Sequence, residues 1–137
     1  MIGLIYRAAD FLRHRTLPDE NGRLGEDLAH RYLRKHGCTI VAHNFTARSG
    51  AGEIDLVAWE GGVLVFVEVK TRSSVDFGAP DAAVDEEKQR RIAIAAREYG
   101  RRARVEESRM RFDTISVLLG DRPQIEWRRD AFNVRVI

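Results

Sequence analysis

Apolar residues recur along this chain with two different periods, and the change between them marks out its elements. Over residues 1–15, Leu4, Ile5, Ala8, Phe11 and Leu12 keep helical spacing, with Arg7, Arg13 and Arg15 outside the stripe. Pro18, Asn21 and Gly22 make residues 16–22 a linker. A second helix is predicted over 23–36, where Leu24, Leu28, Ala29, Tyr32 and Leu33 share a face and Gly37 stands at the C′ position. Gly25 lies in the middle of that face, so the helix can approach a sheet closely there, and Glu26 lies at its edge. Residues 38–45 alternate weakly, as a strand does, and the Gly- and Arg-containing loop 46–52 follows. Two strongly apolar strands come next, Glu53–Glu60 and Val63–Arg72, joined by Gly61-Gly62. After a loop at 73–80, helical spacing returns over 81–102, with Ile92, Ala93, Ala96 and Tyr99 inward and Asp85 a candidate N-cap. Residues 110–119 form a strand, 120–123 a turn, and Gln124–Phe132 the last strand.

Three successive strands on short loops make an antiparallel meander, and the helix before residue 110 can carry a crossover to a parallel neighbour. The expected fold class is α/β: a mixed sheet with a helix on each face. Residues 1–21 are expected to form an N-terminal helix or arm, and 22–137 one domain.

The paired strands carry the chemistry. A two-residue primed turn with φ > 0 at both glycines sets Glu60 opposite Val63 and Ala58 opposite Val65. Counting on, Asp55 falls opposite Glu68 and Glu53 opposite Lys70. One face then holds Asp55, Glu68 and Lys70 with Val57, Trp59, Leu64 and Phe66; the other holds Ile54, Leu56, Ala58, Val63, Val65, Val67 and Val69. Strands apolar on both faces are covered on both, which argues against a plain surface hairpin with Glu–Lys pairs. Two half-buried carboxylates side by side need a cation or hydrogen bonds to stay ionised.

Composition narrows the setting. The chain has 137 residues, 44% hydrophobic and 32% charged, with a net charge of +2. The total does not announce a nucleic-acid binder, but arginine greatly outnumbers lysine and suits bidentate phosphate contact, unless the bias reflects genomic G+C content. Cys38 alone allows no intrachain disulfide and no thiolate zinc cluster, and His14, His30, His36 and His43 show no metal-ligand pattern. The apolar stretch 1–6 is too short for a signal peptide or a membrane span, so the cytoplasm is expected and no membrane partner.

A carboxylate on one strand and Glu-x-Lys on the next suit metal-dependent phosphodiester hydrolysis. Asp55 and Glu68, with the Val69 carbonyl, offer hard oxygens for Mg²⁺ or Mn²⁺. Lys70 can orient the attacking water or stabilise developing charge, and Glu26 can reach in to hold a second metal or a metal-bound water. Arg48, Arg72, Lys88 and Arg91 are candidates for phosphate contact.

Asp55 with Glu68-Val69-Lys70, between a helix carrying Glu26 and a following helix, resembles the PD-(D/E)xK nuclease superfamily. The resemblance implies a restriction endonuclease-like αβββαβ core and is nearest to the Holliday-junction resolvases. More narrowly, Gly25-Glu-Asp-Leu-Ala29, Gly52-Glu-Ile-Asp-Leu-Val57 and Val65-Phe-Val-Glu-Val-Lys-Thr-Arg72 look like the small bacterial YraN-like family of predicted endonucleases. Lys88 and the stretch 111–115 fit it too. The likeness covers about residues 22–132; Ile54 stands where the superfamily pattern has proline. It implies an endonuclease on branched or structured DNA, with RNA not excluded. Junction cutting would call for a C2 homodimer, with residues 1–15 a candidate contact. The competing expectation is a nucleic-acid-binding module that keeps the fold without catalysis.

Overall fold

A computed structural model of the chain describes residues 20–73 and 84–133. The expected helix at 1–15, the loop residues 74–80 and the proposed helical start at 81–83 lie outside them.

Helix α1 spans Glu20–Lys35. It begins three residues before the expected boundary, so Asn21 and Gly22 are helical. A first turn tolerates them because its N–H groups lack intrahelical partners in any case, and Glu20 there suits the helix dipole. The far end closes as expected: Gly37 takes φ 93°, and the Cys38 N–H donates to the Leu33 carbonyl at 2.9 Å. Gly25, Ala29 and Leu33 are buried, whereas Leu24 remains 48% exposed. The apolar face is therefore narrower than the sequence implies. A Cβ on Gly25 would overlap the Thr71 side chain, which is why the helix can lie so close to the sheet.

Strands β1 (Thr39–Thr46), β2 (Glu53–Glu60) and β3 (Val63–Arg72) form the meander. Helix α2 (Glu86–Ala103) leads through a 3₁₀ turn at Glu107–Arg109 to β4 (Met110–Leu118), and β5 (Gln124–Phe132) ends the sheet. Sheet order is β1-β2-β3-β4-β5, with β3–β4 parallel and the other pairs antiparallel. Asp85 caps α2 by accepting from the Lys88 N–H at 2.8 Å. This α/β sheet with a helix on each face matches a restriction endonuclease-like core.

The glycine turn has two residues, and the ladder runs from Glu60↔Val63 to Leu56↔Val67 as counted. Only Gly61 has positive φ, at 58°, so the turn follows the II′ pattern rather than one needing φ > 0 twice. The ladder then stops, and the expected pairs Asp55–Glu68 and Glu53–Lys70 are not made. Beyond Val67 the β3 strand stays paired to β4 as far as Arg72↔Leu118, while the Val69 N–H turns to the Asp55 carboxylate.

Two apolar layers cover the sheet. Val57, Leu64 and Phe66 pack with Ile92, Ala95 and Ala96 of α2. Leu56, Ala58, Val65, Val67, Ile115 and Val117 pack with Ala29 and Leu33 of α1. Ile54 joins the α2 layer instead of following Leu56, which breaks the strict alternation expected for β2 beside Asp55.

Below α1, Asp113 is fully buried and accepts from Arg111, Trp127 Nε1 (2.9 Å) and the Asp130 N–H (2.9 Å). Arg111 and Arg129 also clamp Glu60 at the turn end of β2, at 2.6 and 2.7 Å. Among the described residues no helix is long and apolar enough to cross a membrane.

Candidate active site

Glu68 projects from β3 toward α2, on the face shared by Leu64 and Phe66, and is only 6% exposed. A strand buried on both faces carries this charge inward, so it needs a partner. Its partner is Lys88 in the first turn of α2, whose ammonium contacts Oε2. The Asp85 cap fixes where α2 begins and hence where Lys88 stands.

Asp55 comes from the open end of β2. Its Oδ2 accepts from the Val69 N–H at 2.8 Å, a donor released because the backbone ladder has ended. Burial, then Glu68 and Glu26, push its carboxyl well above the usual carboxylate range, and the Val69 hydrogen bond offsets only part of this. Burial works against the Lys88 ammonium, but Glu68 and Asp55 outweigh it and hold its pKa above the ordinary lysine value.

Both carboxylates open on a cleft of about 770 Å³ between α1, the 46–52 loop and the start of α2. Glu26 enters it from α1, with His43 Nε2 of β1 3.5 Å from its Oε1. Glu53, Val69, Thr71, Lys88 and Arg91 also line it. The loop packs tightly against α2: a Cβ on Gly52 would overlap the Arg91 carbonyl.

The structure thus gathers Glu26, Asp55, Glu68 and Val69 with two of the four expected phosphate contacts, Lys88 and Arg91. Lys70 shares a face with Glu68, since β3 pairs with β4 without a register shift, but it is not among the residues lining the cleft. Arg48 and Arg72 also lie off that lining; the Arg48 N–H donates to Glu98 and the Arg72 carbonyl accepts from Leu119. His43, which shows no metal-ligand pattern in the sequence, makes a local hydrogen bond with the Asn44 side chain at 2.9 Å and also stands beside Glu26. Its place beside Glu26 depends on the pairing His43↔Leu56, which the seven-residue loop 46–52 leaves open.

Among the described residues no three His, Cys, Asp or Glu side chains are grouped to hold an ion. Two carboxylates opening on one cleft are hard-oxygen donors, whose chemistry fits an ion that keeps several waters and takes a substrate phosphate.

A family profile described as "Uncharacterised protein family UPF0102" matches residues 25–117, from Gly25 of α1 to Val117 in β4. The chain belongs to the UPF0102 family. A UPF0102 protein of Solibacter usitatus is 62% identical over 132 residues, spanning 96% of this chain and all of that one. Another, from Rhodococcus opacus, is 50% identical over 113 residues, or 81% of this chain and 94% of its own length. A third, from Koribacter versatilis, is 46% identical over 114 residues, covering 80% and 78%. UPF0102 is the YraN-like family that the three motif blocks resemble, and all three begin and end inside the matched span.

Proposed function

We propose that this chain is a Mg²⁺- or Mn²⁺-dependent endonuclease hydrolysing phosphodiester bonds of branched or otherwise structured DNA. The observation that carries the reading is the meeting of Asp55 and Glu68 in one cleft. Placing two carboxylates together in a poorly solvated site opposes folding unless a cation compensates them. Asp55, Glu68 and the Val69 carbonyl would hold the ion, which when bound would withdraw charge from a phosphoryl oxygen and acidify water. Glu26, steadied by His43, accepts a hydrogen bond from water entering on the α1 side, or helps hold a second ion. Lys70 provides a positive charge on the Glu68 face of β3, suited to orienting the attacking water or stabilising the developing phosphoryl charge. Lys88 and Arg91 meet the substrate phosphates at the α2 wall, and Arg48 and Arg72 extend the contact beyond the cleft.

Purified protein should cut at least one of duplex, single-stranded, flap and four-way DNA with Mg²⁺ or Mn²⁺. Glu68→Ala should abolish the cutting, and Lys70→Ala should lower its rate by about a hundredfold or more. No product from any substrate with either ion would sink the reading. Salt-sensitive DNA binding that survives EDTA and Glu68→Ala, without product, would establish the non-catalytic binding module instead.

A further inference from the structure

The Lys88–Glu68 contact lies where the proposed ion would need a free carboxylate. Glu68 is nearly inaccessible to solvent, so an ionised form without a counter-charge would destabilise the fold. Lys88 supplies that charge from outside the sheet: its side chain is 52% exposed and reaches Glu68 across the cleft wall. Its backbone N–H donates to Asp85, which holds the base of the side chain, while the ammonium reaches Glu68. A long flexible stem with an exposed path to solvent can leave the carboxylate without moving α2.

Residue type points the same way. The chain's basic residues are overwhelmingly arginine, yet the cation on Glu68 is a lysine. A guanidinium makes a planar two-pronged clamp on a carboxylate, as Arg129 does on Glu60 through Nε to Oε1 and Nη2 to Oε2. An ammonium is a compact point charge with rotatable donors, held by one contact and more easily exchanged for another ion. Arg91, one turn further along α2, is instead engaged by Glu87 at 2.6 Å and does not compete for Glu68.

We propose that Lys88 is a built-in stand-in cation, occupying the carboxylate site until a divalent ion displaces it into the cleft. This rests on the nuclease reading for the identity of the ion, and it adds that the protein sets its own metal affinity through Lys88. Removing the ammonium then has opposite effects on two quantities. The metal-free fold loses a counter-charge, and the ion loses its competitor.

Mn²⁺ titration of the full chain without DNA, followed by calorimetry or by the electron paramagnetic resonance of free Mn²⁺, tests this. Lys88→Met should bind Mn²⁺ roughly tenfold more tightly than wild type. It should also show a lower melting temperature without metal and a larger rise on adding Mn²⁺. Lys88→Arg, which keeps the charge, should remain within about threefold of wild type. Unchanged or weaker Mn²⁺ binding by folded Lys88→Met would overturn the stand-in role while leaving the nuclease reading intact. Absence of Mn²⁺ binding in wild type and Lys88→Met alike would overturn both.

Discussion

Glu60 is the residue whose surroundings most plainly dictate its charge. Arg129 and Arg111 hydrogen-bond to its carboxylate and bring its pKa down to about 2 from the ordinary 4.5. A depressed folded pKa means that the stabilisation is complete above pH 4.5 and is lost as pH falls toward 2. Its side chain is 25% exposed, so screening trims the effect to roughly 2 kcal/mol. Urea unfolding of wild type should therefore show a falling midpoint between pH 4.5 and 2. Glu60→Gln should start lower at neutral pH and lack that portion of the slope. At this scale the sequence singles out residues that the structure places in one cleft, but not their partners. Asp55 and Glu68 stand out because charges interrupt two-sided apolar strands, a signal local to the chain. Lys88 on Glu68 and His43 beside Glu26 join elements distant in sequence, and no local period encodes those distances.

At the scale of elements, one glycine decides how near α1 comes to the sheet. Its apolar face is short, and Glu26 follows Gly25 directly, so the closeness of this contact sets the reach of Glu26 into the cleft. Gly25→Ala should cost about 1–3 kcal/mol, since Thr71 is a short, β-branched neighbour with little room to yield. Gly25→Ala/Thr71→Ala should recover most of it, as read by urea midpoints. If the double variant were as unstable as the single, the overlap with Thr71 would not be the cause. Element order, the two-residue turn and the close approach at Gly25 were all legible beforehand, because turn chemistry and helical period are local. The end of the β2–β3 ladder was not. It depends on β3 holding to β4 while a side chain captures the Val69 N–H, and pairing rules alone extend the ladder further.

For the whole molecule, stability and the proposed chemistry occupy different places. The Asp113, Arg111 and Glu60 network beneath α1 matches acceptors to donors, whereas the cleft between α1 and α2 gathers Asp55, Glu68 and Glu26 with mutual repulsion. Asp55→Asn keeps an oxygen for the Val69 N–H while removing one charge. It should raise the metal-free unfolding free energy by about 1 kcal/mol and abolish cleavage. A loss of stability in Asp55→Asn would show that the carboxylates are not in conflict.

The parallel pairing of β3 with β4 also bears on how the chain assembles. Hairpin contacts between β2 and β3 close across two residues, whereas Leu64 meets Met110 only after the whole of α2 has been laid down between them. Closing that long loop costs more chain entropy than closing the hairpin, so the crossover should be the slower step, and Lys88 would arrive with it. Before that, the carboxylates of a β2–β3 hairpin would face water, where their charges are tolerated and would help keep an apolar strand pair from associating with other chains.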